Sequence, residues 1–191
     1  MVRGWTKVGD PTDESPTFFG KKLIRQEFED PKGGQHTFYF YAIKDSCVVL
    51  PVTKEGNAII IREYKQGSDE IQDGLVGGYV DTGETFEQAA RREVGEETGH
   101  SVGKLIDLGH VWILPRHSSG KVQLFLALDC VRAGEQKLDE STGEEIEVIE
   151  MPLSLWVDKV VSGETKESFS VTATVRALPH LGYQLRQRRF W

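Results

Sequence analysis

One glutamate-rich stretch of the sequence has the spacing needed to bind a divalent cation. Glu93 and Glu97 are four residues apart, so in a helix they share one face. At about 100° per residue they project onto the middle of an apolar stripe. That stripe consists of Phe86, Ala89, Ala90 and Val94. Two like charges on an inward face are costly unless a cation or hydrogen-bond donors offset them.

Such a stretch is ordinarily interpreted as an acidic helix whose glutamates face solvent. Here the predicted outward face argues against that interpretation, because other residues occupy it. The residues that project outward are Gln88, Arg91, Gly95 and Thr98. Arg92 can neutralise one carboxylate and leaves the others unpaired. Carboxylate oxygens in this number suit Mg²⁺ or Mn²⁺ rather than zinc, which prefers cysteine and histidine. The sequence therefore favours a magnesium or manganese site, with Glu96 beside the pair and Glu84 opening the helix.

Several glycines precede this helix, namely Gly74, Gly77, Gly78 and Gly83. Glycine lets the backbone turn sharply and approach a ligand closely, which leaves carbonyl groups free to join a metal shell. Because the glycines lead directly into the acidic helix, they predict that backbone atoms take part in the same site.

The remaining elements must position this helix, predicted over residues 84–98. Residues 1–20 are interpreted as a loosely structured lead-in, and a turn cluster at residues 30–34 predicts a hairpin within 22–40. Further strands are predicted at residues 47–53, 58–64, 104–112, 121–130 and 145–150, with closing helices at 153–161 and 171–189. That order predicts an α+β fold, an αβα sandwich.

Composition narrows the class of protein. The 191 residues fit one compact domain, and the net charge of −7 argues against broad binding to a nucleic-acid backbone. A small anionic substrate stays possible, since a bound cation can reverse the local field. Cys47 and Cys130 lie in apolar runs, which favours buried structural thiols. No stretch has the length of a signal peptide or a membrane span, so we expect a cytoplasmic protein without a membrane partner.

The residues from Gly78 to His100 carry a family resemblance. Gly78, five residues, Glu84, seven residues and then Arg92-Glu93-Val94-Gly95-Glu96-Glu97-Thr98-Gly99 resemble the Nudix box, G-x5-E-x7-R-E-U-x-E-E-x-G-U. Every fixed position matches except the last hydrophobic one, where His100 stands. Segments 59–65, 123–127 and 143–148 resemble the strands and loop that surround the box in ADP-ribose pyrophosphatases and related nucleoside-diphosphate-sugar hydrolases.

The resemblance implies a Nudix αβα sandwich with a mixed sheet over residues 45–191. It also implies an N-terminal antiparallel β element, residues 1–44, whose strands pair or swap in a homodimer. Two positions depart from that subgroup. Gly74 stands where the subgroup has a glutamate, and Gly120 stands where it has another glutamate. Both departures bear on the identity of the substrate rather than on hydrolysis.

The implied roles follow residue by residue. Glu93 and Glu97 would be the principal Mg²⁺ or Mn²⁺ ligands, with Glu96 and the Gly77 carbonyl assisting. Glu144 would be the catalytic base, with Glu145 as the second candidate and Glu96 as a further catalytic carboxylate. Supporting roles fall to Glu84 and Arg92. Substrate contacts are predicted for the side chains of Arg62, Phe40 and Arg116.

The implied reaction is hydrolysis of ADP-ribose or another nucleoside diphosphate sugar to a nucleoside monophosphate and a sugar phosphate. Dinucleoside polyphosphates, nucleoside triphosphates or a capped RNA end are the alternative substrates. A non-catalytic nucleotide-binding regulator is an alternative of another class. Such a protein would be marked by loss of box carboxylates, and all four glutamates are present.

Overall fold

The computed structural model describes residues 6–13, 22–138 and 145–183. It divides into two compact units. The first consists of Met1–Asp45 with Trp112–Lys121, and the second consists of Ser46–Val111 with Val122–Trp191. This division falls next to the boundary predicted between residues 44 and 45, and it also assigns residues 112–121 to the first unit.

The described part of the first unit contains a three-stranded antiparallel sheet in the order β1-β2-β3. Its strands are β1 (Thr6–Asp13), β2 (Lys22–Glu29) and β3 (Gln35–Ala42). The predicted hairpin is confirmed, and Asp30 closes its turn by accepting hydrogen bonds from the backbone N–H groups of Lys32 and Gly34, at 2.7 and 2.9 Å. The prediction of a loosely structured lead-in is wrong for residues 6–13, which form β1. A register shift between Val8 and Thr12 lets this strand include Gly9 and Pro11.

The second unit is built on a mixed sheet, eight-stranded in the part of the chain that the structure describes. The strands are β4 (Ser46–Thr53), β5 (Asn57–Lys65), β6 (Glu70–Gly74), β7 (Val76–Tyr79), β8 (His100–Ser101), β9 (Lys104–Trp112), β10 (Lys121–Arg132) and β11 (Glu147–Pro152). The central path is β11-β5-β4-β10-β8, with β6 on β5, β7 on β4 and β9 on β10. Strands β4 and β10 are parallel. The five longer strands match their predictions, whereas β6, β7 and β8 are additional.

Helices cover both faces of this sheet. They are α1 (Phe86–Thr98), α2 (Leu153–Ser162) and α3 (Ser168–Ala177), followed by a 3₁₀ turn at Leu178–Leu181. Cys47, Val49 and Ile59 pack in one cluster with the apolar side of α1. The alternating residues Leu50, Val52 and Ile60 are also buried, on the opposite face, where α2 and α3 lie. The αβα prediction is confirmed.

The last predicted helix has different bounds. The sequence predicts a helix over residues 171–189, but α3 begins at Ser168, where Glu167 accepts hydrogen bonds from the N–H groups of Phe169 and Ser170. The α-helix ends at Ala177, just before Pro179, which cannot continue an α-helical hydrogen-bond ladder. Residues 184–189 lie outside the described residues. Within the described ranges, no helix combines the length and apolar composition that a membrane crossing requires.

Candidate active site

The acidic helix α1 is fixed at both ends by its own sequence. Thr85 caps its start, since the Thr85 hydroxyl accepts from the Gln88 N–H at 3.2 Å and the Gln88 amide oxygen accepts from the Thr85 N–H at 2.8 Å. Gly99 ends the helix in the left-handed conformation, with φ 71°, and its N–H donates to the Gly95 carbonyl at 3.0 Å. Such caps fix the helix limits, and therefore the positions of the glutamates between them.

The inward direction predicted for Glu93 and Glu97 is confirmed. Glu97 is only 9% exposed, and the Glu93 side chain is 12% exposed. The outward position predicted for Thr98 is wrong, because Thr98 is fully buried and its hydroxyl donates to the Val94 carbonyl at 2.6 Å. Thr98 is buried by a tertiary contact, because the chain after β10 crosses the end of the helix. There the Ala133 N–H donates to the Gly99 carbonyl at 2.8 Å.

Two glycines of β7 allow the backbone to touch these carboxylates. The Gly77 N–H donates to Glu97 Oε2 at 3.2 Å. A β-carbon on Gly78 would lie within 2.8 Å of three atoms of the Glu93 carboxyl group. The space beside Gly78 is therefore taken by Glu93 itself, which explains why this position holds glycine.

Arg92 lies at the centre of the remaining carboxylates. Its Nη1 donates to Glu93 Oε1 at 2.8 Å and to Glu96 Oε2 at 3.0 Å. Its Nε and Nη2 donate to the two carboxylate oxygens of Glu84, at 3.1 and 3.0 Å, and Nη2 also donates to the Tyr79 carbonyl at 2.9 Å. The guanidinium thus orients three glutamates of the box, more than the single neutralised carboxylate expected from sequence.

The electrostatics of this cluster follow from those hydrogen bonds. The hydrogen bonds from Arg92 lower the pKa of Glu84 below its ordinary value. The hydrogen bonds that Arg92 donates to Glu84 raise the pKa of Arg92, and its hydrogen bonds to Glu96 and Glu93 act in the same direction. Both groups are therefore held in their charged forms.

The chemistry of these donors suits a hard cation. Glu93, Glu96 and Glu97 offer carboxylate oxygens, and the carbonyl of Gly77 lies on the strand that α1 contacts. Among the described residues, no three carboxylate, imidazole or thiol groups already converge at metal-binding distance. Glu93 and Glu96 share Arg92, while Glu97 faces β7.

The second candidate for the base, Glu145, and one predicted substrate contact, Arg62, line a groove of the second unit. Glu145 is exposed and lines a cavity of about 960 Å³ together with Arg62, Lys65 and Glu147. Glu144 lies outside the described residues. Asp73 holds the Arg62 guanidinium at 2.7 and 3.2 Å; this hydrogen bonding raises the pKa of Arg62.

Strand alternation separates Arg62 from the acidic helix. Ile61 packs in the cluster beneath α1, so Glu63 and Lys65 share its face of β5 while Arg62 points to the other. Glu63 and Lys65 form an ion pair on the α1 face. Sequence reasoning missed Lys65 as a candidate phosphate contact, although continuing the alternation from Ile61 would have found it.

In the first unit, the structure brings the other two predicted substrate residues together. Phe40 and Arg116 line one groove of about 700 Å³ with Phe28, Phe38 and Pro115. Phe28 and Phe38 meet edge to face, with ring centroids 5.5 Å apart. Aromatic rings beside a guanidinium form a surface on which a flat, electron-rich ring can stack.

The position where the Nudix box departs from its pattern is buried rather than exposed. His100 is 2% exposed. Its Nδ1 lies 2.9 Å from the Thr98 carbonyl, and its Nε2 lies 3.4 Å from Glu150 Oε1. The imidazole therefore replaces the usual apolar packing with polar contacts that join the end of α1 to β11.

A comparison with protein families shows to which family the chain belongs. Residues 42–164 match the NUDIX domain model. The chain belongs to the NUDIX family. This Nudix protein is 26% identical over 130 residues to the ADP compounds hydrolase NudE of Escherichia coli, covering 68% of each chain. It is 29% identical over 154 residues to the ADP-ribose pyrophosphatase of Bacillus subtilis, covering 79% of this chain and 82% of that one.

Two further comparisons agree with this membership. The Nudix protein is 28% identical over 134 residues to the GDP-mannose pyrophosphatase of Salmonella typhimurium, covering 66% and 69% of the two chains. A crystal structure of an ADP compounds hydrolase superimposes with a TM-score of 0.80 at 20% identity, covering 95% of this chain and 96% of that one. The family and the fold predicted from sequence are both confirmed.

Proposed function

We propose that this Nudix protein hydrolyses the phosphoanhydride bond of a nucleoside diphosphate sugar, releasing a nucleoside monophosphate and a sugar phosphate. The observation that carries the proposal is the placement of Glu93 and Glu97 on the buried side of α1 against the glycines of β7. The named activities of its relatives, on ADP compounds, ADP-ribose and GDP-mannose, support the class of substrate.

Glu93, Glu96, Glu97 and the Gly77 carbonyl are the groups that would hold a divalent cation, Mg²⁺ or Mn²⁺. When bound, such a cation withdraws charge from the diphosphate oxygens and lowers the pKa of a coordinated water. Arg92 keeps Glu93 and Glu96 oriented by donating to both from one nitrogen. Its role is positional, and its charge limits the repulsion among the glutamates of the box.

A carboxylate from the segment before β11 accepts the proton of the attacking water in this proposal. Glu144 is the first candidate and Glu145 the second. The exposed Glu145 side chain lines the groove that also holds Lys65 and Arg62. We assign phosphate binding first to Lys65, because it shares the α1 face of β5. Arg62 would have to exchange its hydrogen bonds with Asp73 for such a contact.

The nucleoside is proposed to stack in the groove of the first unit that Phe40 and Arg116 line. Base stacking on an aromatic side chain contributes about 1–3 kcal/mol. Phe40→Ala should therefore raise KM by roughly 5- to 150-fold with little change in kcat. Trp112→Ala is the matched control, because Trp112 is an exposed ring of the same unit and does not line that groove.

The products of a substrate panel test the reaction itself. Purified protein is incubated with Mg²⁺ and ADP-ribose, GDP-mannose, UDP-glucose, a diadenosine polyphosphate or a deoxynucleoside triphosphate. A nucleoside monophosphate with a sugar phosphate supports the proposal. Release of pyrophosphate from the triphosphate alone favours the alternative substrate class, and no turnover of any of them with Mg²⁺ or Mn²⁺ refutes a hydrolase.

A matched pair of substitutions on α1 tests the proposed metal ligands. Glu97→Gln removes an inward charge and should abolish nearly all activity while the fold persists. Glu87→Gln makes the same change at an exposed position of the same helix and should leave kcat unchanged. Comparable kcat in the two variants would mean that Glu97 has no special role.

The predicted homodimer remains part of the proposal. The first unit presents Tyr39 and Tyr41 about half exposed, at 53% and 51%, on the same face of β3. Exposed rings of this kind are typical of interfaces. Light scattering coupled to size exclusion would give twice the monomer mass for the wild type, and a lower mass for a Tyr39→Ser, Tyr41→Ser variant. A monomeric wild type would contradict the dimer.

A further inference from the structure

The chain after β10 runs along the C-terminal end of α1. Ala133 N–H donates to the Gly99 carbonyl at 2.8 Å, and Lys137 N–H donates to the Glu96 carbonyl at 2.8 Å. The last four carbonyls of a helix have no partner within the helix. This segment, residues 133–138, therefore satisfies carbonyls of α1 at the turn that carries Glu96 and Glu97.

Gln136 makes a contact of a different kind in the same segment. Its side-chain Nε2 donates to the Glu97 carbonyl at 2.6 Å and to the Ile146 carbonyl at 3.2 Å. A glutamine amide nitrogen has two hydrogens, so both are used. One side chain thus joins the backbone of a proposed metal ligand to the residue that directly follows Glu145.

We propose that Gln136 is a positioning residue that sets the distance between the carboxylate helix and the segment carrying the proposed base. The kinetic consequence of this inference rests on the proposed hydrolysis, whereas the two hydrogen bonds of Gln136 are a property of the fold alone. Glu97 is one of the proposed metal ligands, and Ile146 directly precedes β11. Apolar packing also spans this gap, because Ile146 and Val148 lie against the cluster that contains Ala89, Ala90 and Val94 of α1, and His100 contacts Glu150 on the far side of Thr98. Gln136 adds to that packing a hydrogen-bonded link of fixed direction.

The two contacts favour an uncharged donor such as glutamine at this position. Both partners are carbonyl oxygens, so the side chain must donate twice from one end and carry no negative charge. Methionine has the same length and no donor. Glutamate has nearly the same shape, but its carboxylate would face two acceptors and repel them. The expected order of activity is therefore wild type, then Gln136→Met, then Gln136→Glu.

Steady-state kinetics give the first test, with the preferred diphosphate substrate and saturating Mg²⁺. A displacement of about 1 Å between reacting groups can cost roughly 100-fold in rate. We expect kcat to fall by about 10- to 100-fold in Gln136→Met, with KM within about threefold of wild type. Lys137→Gln is the control, because its backbone bond to Glu96 is retained, and it should match wild type.

The pH dependence separates positioning from a general loss of stability. If the base is misplaced, hydroxide can replace it at high pH, so the defect of Gln136→Met should shrink as pH rises. A uniform defect across the pH range, or a Gln136→Glu variant as active as wild type, would overturn the proposal.

Hydrogen exchange followed by mass spectrometry tests the tie without any turnover. Peptides covering residues 145–152 should exchange faster in Gln136→Met than in wild type, while peptides of β4 are unchanged. If the wild type hydrolyses none of the diphosphates, the proposed function fails. The exchange measurement still tests whether Gln136 holds residues 145–152 in place. Equal exchange in the two proteins would refute it.

Discussion

Replacing Gly78 by alanine should lower kcat by roughly 100-fold while leaving most of the stability. The added β-carbon would lie within 2.8 Å of Oε1, Cδ and Oε2 of Glu93. Non-bonded heavy atoms settle about 3.5–4.0 Å apart, so the whole carboxyl group must retreat by on the order of 1 Å. Glu93 can move because its carboxylate is the far end of a flexible side chain. The movement also disturbs its 2.8 Å hydrogen bond from Arg92.

The magnitude follows from that displacement. A shift of about 1 Å in a group that positions reactants costs roughly 100-fold in rate, whereas overpacking relieved by a side-chain movement costs about 1 kcal/mol. The assay is kcat with the preferred diphosphate substrate, beside urea unfolding of the same preparation. Gly67→Ala is the control, because a β-carbon there meets no atom within 4 Å. A Gly78→Ala protein with kcat within about threefold of wild type would show that the position of Glu93 is not critical.

Three further predictions concern stability and reactivity. Ser170→Ala removes the 2.8 Å acceptor of the buried Leu75 N–H and should lower the free energy of unfolding by about 1–3 kcal/mol, measured in urea; an unchanged midpoint would contradict it. Arg92 depresses the pKa of Glu84, so the stabilisation from this pair is present above the unfolded pKa of about 4.3 and is lost as pH falls through the lower folded pKa. Arg92→Met should therefore lose less stability than wild type on acidification, in urea titrations at several pH values, and an equal loss would argue against the pair. Burial raises the pKa of Cys47 to about 12, so a thiol reagent at about pH 8 should label it only after unfolding, and rapid labelling of the native protein would disprove its burial.

The parts of the site that sequence predicted well are local in the chain. The limits of α1 and the inward direction of Glu93 and Glu97 follow from a 3.6-residue period and from caps next to the helix. The burial of Thr98 could not be predicted in that way. It depends on residues 133–138, whose crossing of the helix end is a tertiary contact that periodicity does not record.

Strands β6 and β7 also could not be predicted from local sequence. No strand is predicted from sequence at their glycines, but Gly77 and Gly78 pair with Val48 and Cys47 of β4. Pairing partners decide whether a short glycine-containing segment becomes a strand. Gln136 gave no signal in the sequence, because a side chain that joins two backbone carbonyls needs neither a period nor a motif.

The parallel pairing of β4 with β10 implies an order of events while the chain is being synthesised. The elements that α1 contacts most, β7, β4 and β8, all lie within residues 46–101, so the carboxylate helix has its main supports before β10 has been made. Parallel pairing of distant segments forms slowly because a long loop must close first. The segment that crosses α1 and the strand that follows Glu145 come after β10. A nascent chain should therefore assemble the acidic half of the site early, and complete the other half only when that closure has occurred.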